Sequence, residues 1–241
     1  MDRIKRLKHI LPFRHYLLLG LVGMLLAFSN EAQAVARTAS VTGNWNNTAT
    51  WGGQAVPTAA DNITINAGIT VTMNVAGSCT VITSMGNGAS IIGSSTLTLQ
   101  AAATITLAAG ATATISCPLG GGGTSFTILA GTGTLTLSGD NTWTGWFWIS
   151  SGTVSVPRLA NSGTNSPLGN AGTIFFGNAG NTTTLIYTGT GHSTNRKLSM
   201  DGGGGGGIID QSGASGLLEF TGAVAPEAAG NYTLTLKGSA G

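Results

Sequence analysis

Short runs in which threonine or serine alternates with an aliphatic residue recur along the chain and constrain its fold more than any other feature. The runs are "NITI" (62–65), "TVTM" (70–73), "TLTLQ" (96–100), "ATITL" (103–107), "ATATIS" (111–116), "GTLTLSG" (133–139) and "YTLTLKG" (232–238). A period of two with β-branched side chains predicts strands that bury one face. Glycine, asparagine and alanine clusters between the runs favour tight corners. The chain is therefore predicted to be all-β.

The side chains on the predicted buried face favour one all-β architecture, the parallel β-solenoid. Aromatic residues make up only 6% of the chain, and the apolar positions are mostly small or medium aliphatics. Strands that stack about 4.8 Å apart, like residue above like residue, enclose a narrow interior that accepts such side chains. The spacing between candidate strands is irregular, so individual coils are not assigned. The residues expected to point inward are Leu135, Leu137, Val154, Val156, Ile174, Phe176, Leu185, Tyr187, Leu198, Met200, Leu234 and Leu236.

The N-terminal residues 1–36 have the pattern of a secretory signal peptide. Five basic residues precede an apolar run from Leu17 to Phe28, and an Ala-x-Ala pattern ends at Ala34. Cleavage after Ala34 and cleavage after Ala36 both fit this pattern. The apolar run falls short of the roughly 20 residues that a membrane-spanning helix needs. The mature chain is therefore predicted to be exported, without stable insertion into a membrane.

Removal of this leader leaves a chain that is nearly neutral. Half of the ten Lys and Arg residues lie in the leader, and the remaining five face six Asp and Glu residues. The calculated pI of 8.7 is therefore a property of the precursor. Without a basic patch the mature chain has nothing to compensate a phosphate backbone, so nucleic acid is not predicted as a partner.

Candidate catalytic residues are few, and the sequence predicts neither a metal nor a cofactor. His192 is the single histidine after the leader, which leaves no candidates for a His-based metal site or a catalytic triad. Some parallel β-helices cleave polysaccharides with clustered carboxylates and a nearby cation. Asp201, Asp210 and Glu219, with Arg196 and Lys197 close by, are nine residues apart, which is less than one coil. They are expected on different faces, so a non-catalytic protein is predicted.

The segment 143–149 contains three tryptophans with two alternative interpretations. If Phe147 and Ile149 face the core, strand alternation turns Trp146 and Trp148 outward. Together with Trp143 they would then form an exposed aromatic ledge of the kind that stacks on sugar rings or docks proteins. In the alternative interpretation, the tryptophans cover a turn or pack against a neighbouring loop.

Two further tryptophans, Trp45 and Trp51, flank a turn rich in glycine and asparagine before the first clean strand. The first coil of a solenoid has an unpaired edge and an open apolar end, which a bulky group must cover. Trp45 and Trp51 are therefore candidates for an N-terminal cap. This cap and the first coil are assigned to residues 37–75.

The two cysteines, Cys79 and Cys117, are in a chain predicted to be exported and are candidates for a disulfide. With coils of about 19 residues they would lie two coils apart, at roughly 9.6 Å, which is too far for a bond. A long loop such as "CPLGGGG" (117–123) would remove this obstacle. Both alternatives stay open.

Residues 133–156, "GTLTLSGDNTWTGWFWISSGTVSV", resemble the autotransporter-associated β-strand repeat. The positions that match are Gly133, Leu135, Leu137, Ser138, Gly139, Asn141, Thr142, Trp143, Thr144, Gly145, Ile149, Gly152 and Val156. Residues 159–178 and 189–224 are similar to the sequence that follows such repeats. The chain departs from the pattern in that Trp143 replaces a more common Tyr, Val154 replaces Leu, and Trp146 and Trp148 are bulkier than usual. The resemblance implies a right-handed parallel β-helix of a secreted or surface passenger domain.

Together these observations predict a signal peptide at 1–36, the capping segment and first coil at 37–75, and a parallel β-helix at 76–241. The helix is expected to continue in a longer protein, with further coils or an anchor. The predicted function is a structural or adhesive scaffold on the bacterial surface, associated with the outer membrane, whose partner is a surface glycan or a protein. The alternative is a carbohydrate-active β-helix, either a polysaccharide lyase or hydrolase, or a glycan-binding module.

Overall fold

The structure is a computed structural model, which describes residues 34–100, 102–121, 125–178, 180–200, 205–227 and 229–238. The predicted signal peptide lies outside the described residues as far as residue 33. Residues 34–241 form one compact unit. Its described part is a parallel β-solenoid of about eight turns, which confirms the predicted fold class.

Each turn is built from short strands joined by tight corners. The strands are β1 (Ala36–Ala39), β2 (Gly43–Asn44), β3 (Asn62–Ile65), β4 (Thr70–Met73), β5 (Gly77–Cys79), β6 (Ile82–Met85), β7 (Ser90–Gly93), β8 (Leu97–Leu99), β9 (Thr104–Leu107), β10 (Thr112–Ile115), β11 (Leu119–Gly120), β12 (Phe126–Leu137), β13 (Phe147–Val156), β14 (Thr173–Phe176), β15 (Thr182–Tyr187), β16 (Thr190–Thr194), β17 (Lys197–Met200), β18 (Gly206–Asp210), β19 (Gly216–Phe220) and β20 (Thr233–Lys237). A 3₁₀ helix, Thr48–Trp51, follows β2.

The strands stack into three faces, and all named strand pairs are parallel. One face contains β1, β3, β6 and β9, a second contains β2, β4, β7 and β10, and β5, β8 and β11 form the third. The long strands β12 and β13 run through the first and second faces, so they join both into one 15-stranded sheet. Gly152 makes the corner within β13 at a φ of +76°, and a side chain there would collide with Ala130 of the coil below.

The core consists of columns in which like residues stack from coil to coil. Strand alternation sends every second side chain inward, and the parallel register places each of these above its counterpart. The column on the first face is Ile63, Ile82, Ile105, Ile128, Ile149, Phe176 and Met200. Met200 is 5% exposed, and the other members are fully buried. A second column is Ala113, Leu135, Val154, Leu185 and Ile209; the next register partner, Leu236, was expected to point inward but is 73% exposed.

The outward threonines and serines also stack, which gives the alternation its polar half. The hydroxyl oxygens of Thr70 and Ser90 are 2.8 Å apart, and those of Thr64 and Thr83 are 3.0 Å apart. These hydrogen bonds link successive coils on the solvent side of the sheet. No helix among residues 34–100, 102–121, 125–178, 180–200, 205–227 and 229–238 is long and apolar enough to cross a membrane.

The first coil buries two tryptophans. Trp45 and Trp51 are 2% and 0% exposed, with ring centroids 5.0 Å apart in an edge-to-face arrangement. The indole N–H of Trp51 donates to the backbone oxygen of Trp45 at 2.8 Å. The Trp45 ring lies against Gly77 of the next coil, where a β-carbon would overlap it. Both rings thus fill the interior at the first coil, and their role as an end cap stays a prediction.

Candidate functional site

The outward face of β13 and β14 carries a cluster of aromatic rings. Trp146 is 60% exposed, and its ring centroid is 5.4 Å from that of Phe175. Trp148 lies 6.3 Å from Phe175 on the other side and is held by its indole N–H, which donates to the Gly177 backbone oxygen at 2.6 Å. The parallel register pairs Trp148 with Phe175. We call Trp146, Trp148 and Phe175 the aromatic ledge.

Polar groups border the aromatic ledge on the side of β17. Lys197 pairs with Thr173 in the strand register, and its ammonium group donates to the Glu227 carboxylate at 2.7 Å. The Ser199 hydroxyl lies 3.1 Å from the same carboxylate. These hydrogen bonds, first from Lys197 and then from Ser199, lower the pKa of Glu227. The carboxylate is therefore ionised at neutral pH.

A shallow cleft of about 380 Å³ is lined by Trp146, Thr173, Phe175 and Glu227. Its walls thus combine an exposed indole face, a hydroxyl and an ionised carboxylate. Such a combination offers both an apolar surface for stacking and acceptors and donors for hydrogen bonds. This cleft is the candidate functional site.

Trp143 does not belong to the aromatic ledge, and its prediction as an exposed residue is wrong. The side chain is fully buried, between Phe126 at a centroid distance of 4.0 Å and Phe147 at 6.0 Å. The three rings are nearly parallel, with interplanar angles of 17° and 13°. Gly169, at a φ of +63°, leaves the space that the indole occupies. For Trp143 the alternative holds, because it packs against a neighbouring loop.

That loop, residues 157–172 between β13 and β14, is held by a buried guanidinium. Arg196 has no exposed surface, and its N–H groups donate to backbone oxygens around the loop. The contacts include Ala160 at 2.8 Å, Gly169 at 2.6 Å and the Ser166 hydroxyl at 3.1 Å. The remaining acceptors are the backbone oxygens of Ala171, Leu168 and Thr164.

The Arg196 cluster is charged although it contains no carboxylate among its described hydrogen-bond partners. Burial lowers the pKa of Arg196 to about 10, which still leaves the guanidinium protonated at neutral pH. Five N–H donors in a planar fork match a set of converging carbonyl dipoles. The cluster therefore fixes the loop that covers Trp143, and it connects the loop to the strand that follows the aromatic ledge.

The asparagine of the repeat pattern, Asn141, also joins coils. Its side chain is buried, accepts from the Leu119 amide at 2.7 Å and donates to the Pro167 backbone oxygen at 2.7 Å. One amide group thus satisfies a backbone donor in the coil before it and an acceptor in the loop after it. This explains why an asparagine at this position suits a stacked repeat.

Cys79 and Cys117 are free thiols, so the structure does not contain the disulfide that the sequence left open. The strands β5, β8 and β11 stack in that order, which places the segments containing the two cysteines two coils apart. Burial raises the pKa of both thiols to about 12. At neutral pH neither thiol is ionised, and neither is suited to act as a nucleophile.

The described carboxylates of the catalytic alternative do not converge. Asp210 ends β18 in the large sheet and is paired in register with Lys237, whereas Glu219 lies on β19 in a separate two-stranded sheet. Asp201 lies outside the described residues. His192 is on strand β16, and its ring nitrogen is 2.5 Å from the hydroxyl of buried Tyr187. Within the described residues, no group of three or more His, Cys, Asp or Glu side chains could hold a metal ion.

Sequence reasoning missed the place of Phe175 in the aromatic ledge and the role of Arg196 in holding the loop. The expected inward positions of Ile174 and Phe176 left Phe175 on the outer face, but the sequence did not show that its ring lies beside Trp146 and Trp148. The available signal for a buried role of Arg196 was its position directly before strand β17. Its partners lie 25 to 36 residues earlier in the chain, beyond the reach of local patterns.

Comparison with known proteins gives two matches. The family described as passenger-associated-transport-repeat matches residues 128–156. Over 184 residues, 72% of its length, the chain is 30% identical to the adhesin BmaC autotransporter of Brucella suis biovar 1 (strain 1330). The chain spans only 5% of the length of that protein. No solved structure matches the chain.

The stacked coils, the columnar core and the parallel register define the class of this protein, a parallel β-solenoid. The matched repeat spans most of β12, the connection to β13 and β13 itself, and it includes Trp143, Trp146 and Trp148. At residues 128–156 the chain matches an autotransporter passenger repeat, and 72% of its length is similar to a segment of an autotransporter adhesin.

Proposed function

We propose that the chain is part of an exported adhesive scaffold on the bacterial surface, of autotransporter-passenger type and without catalytic activity. The observation that carries this proposal is the passenger repeat at residues 128–156, set in an uninterrupted stack of coils. A stack of this kind presents a long regular surface, and each coil contacts only its neighbours. The leader pattern in residues 1–36 supports export.

The aromatic ledge is the proposed contact with the ligand, and the proposed ligand class is a surface glycan. Sugar rings present apolar C–H faces that stack on exposed aromatic rings, while their hydroxyls need hydrogen-bond partners. Trp146 supplies the ring, and Thr173, Glu227 and Lys197 supply the polar partners. The cleft volume of about 380 Å³ suits a small ligand, whereas a protein interface needs roughly 800 Å² on each partner.

Replacing Trp146 by alanine is expected to weaken glycan binding about tenfold or more, because the variant loses the exposed stacking surface. The measurement uses intact bacteria that express the complete gene. Antibody staining reports whether the chain reaches the surface, and printed arrays of oligosaccharides report binding. Wild-type cells are expected to stain and to bind, while Trp146→Ala cells stain equally and bind weakly.

Leu217→Ala is the matched control, since Leu217 is 72% exposed but lies on β19, away from the aromatic ledge. Its binding should equal that of the wild type. Absence of staining on intact cells would contradict the surface scaffold. Equal glycan binding by wild type and Trp146→Ala would contradict the assignment of the aromatic ledge. If Trp146→Ala reduces binding to a host protein and leaves glycan binding unchanged, the ligand is a protein and not a glycan.

A further inference from the structure

The carboxylate of Asp61 is buried at the start of the solenoid, where it collects donors from the first residues of the described chain. Asp61 is 3% exposed. One carboxylate oxygen accepts from the Thr58 amide and hydroxyl, both at 2.9 Å. The other accepts from the amide of Val35 at 3.1 Å. The Arg37 side chain lies 3.6 Å away.

Val35 and Ala36 are thus integral to the first coil. The Val35 backbone oxygen accepts from the amide of Asn62 at 3.0 Å, and Ala36 is the first residue of β1, paired with Asn62. Cleavage after Ala36 would delete this register pair, this backbone hydrogen bond and one of the donors to Asp61. Cleavage after Ala34 would delete none of them.

We propose that the leader is removed by hydrolysis of the Ala34–Val35 peptide bond, and that the new Val35 α-ammonium group is bound by the buried Asp61 carboxylate. Water adds across this bond, so that Ala34 leaves with the new carboxylate and Val35 keeps the nitrogen, which is protonated. The Ala-x-Ala pattern ending at Ala34 meets the small-residue requirement of signal peptidases. This inference rests on the proposed export of the chain.

The reaction changes the electrostatics at Asp61. Before cleavage the Val35 nitrogen is a neutral amide, and after cleavage it is a cation with an ordinary pKa near 8, about 3 Å from a carboxylate. Charge-assisted hydrogen bonds of this type are shorter and stronger than neutral ones. Processing therefore tightens the attachment of β1 to β3, and the first coil becomes fully stable only in the mature chain.

The first test is to determine the N-terminal residue of the exported protein, expressed from the complete gene, by mass spectrometry or N-terminal sequencing. The expected N-terminus is Val35. An N-terminus at Arg37 overturns this inference and leaves the proposed export intact. An exported chain that retains the leader also overturns this inference, and a chain that is not exported overturns the proposed function with it.

The second test measures the coupling between the α-ammonium group and Asp61. Mature chains that begin at Val35 and at Arg37 are each prepared with Asp61 and with Asp61→Asn, and their urea midpoints are compared. We expect Asp61→Asn to lower the urea midpoint of the Val35 chain by more than it lowers the midpoint of the Arg37 chain. Acetylation of the Val35 α-amino group should cause part of the same loss. Equal losses in both chains and no effect of acetylation would overturn the pairing.

Discussion

Replacing Arg196 by methionine is expected to lower the free energy of unfolding by about 3–5 kcal/mol, because several buried backbone oxygens lose their partner at a cost of about 1–3 kcal/mol each. Methionine keeps most of the apolar stem but none of the five donors. The backbone oxygens of Ala160, Gly169 and Ala171 would lose their partner, and a buried acceptor without a partner is costly. The loop 157–172 should then detach. Urea unfolding followed by far-UV circular dichroism measures the loss.

Two matched variants separate this effect from the loss of a positive charge. Arg158→Met removes an arginine that pairs with Asp140 at the surface, and its cost should stay below about 1 kcal/mol. Arg196→Lys keeps the charge but presents a single ammonium group, so most of the loss should remain. If Arg196→Met and Arg158→Met cost the same, the loop does not depend on the guanidinium. Limited proteolysis should cut within residues 157–172 only in the Arg196 variants.

Replacing Trp143 by alanine is expected to cost about 3–5 kcal/mol, the usual range for truncating a large buried aromatic residue. The indole is fully buried and stacks between Phe126 and Phe147, so its removal leaves a cavity under the loop. Trp143→Phe should cost much less, because it keeps the stack and the Trp143 indole nitrogen has no hydrogen-bond partner among the described residues. The free energy of unfolding from urea titration compares the variants.

Trp146→Ala is the control for this prediction, since it removes the same side chain from an exposed position three residues away. Its effect on stability should stay within about 0.5 kcal/mol, as for ordinary surface substitutions. We therefore expect the substitution of Trp143 to affect stability and the substitution of Trp146 to affect binding. A stability loss of the same size in both variants would refute the buried stack.

The fold was predictable because strand alternation is visible within a few residues, and because the same alternation of threonine or serine with an aliphatic residue recurs along the chain, as stacked coils require. Alternation correctly sent Phe147 and Ile149 of β13 inward and Trp146, the residue directly before this strand, outward. Alternation makes no prediction for Trp143, because this residue lies between β12 and β13 and belongs to neither strand. Leu236 was expected to point inward but is 73% exposed, because among the described residues its strand pairs only on one side, with β18.

The candidate site was predictable only in part, since its geometry depends on the register between coils. Trp146 and Trp148 could be placed on the outer surface from sequence. Phe175 lies beside them because the chain, after the loop 157–172, forms β14 in parallel register with β13, which pairs Phe175 with Trp148. Glu227 reaches the cleft through its ion pair with Lys197, 30 residues away in sequence. Contacts of this range depend on coil lengths, which the sequence pattern did not determine.

The central claim, that successive coils stack in parallel and in register, is tested most directly by disulfide formation between outward positions of adjacent coils. Thr70 and Ser90 are register partners with hydroxyl oxygens 2.8 Å apart, whereas Ile92 is paired with Thr72. In a Cys79→Ala, Cys117→Ala background, Thr70→Cys with Ser90→Cys should form a disulfide under mild oxidation. Thr70→Cys with Ile92→Cys should not, because a two-residue offset separates the Cα atoms by about 8 Å. Rapid disulfide formation by the offset pair would contradict the stacked solenoid. Failure of both pairs to form a disulfide in the folded protein would contradict it too.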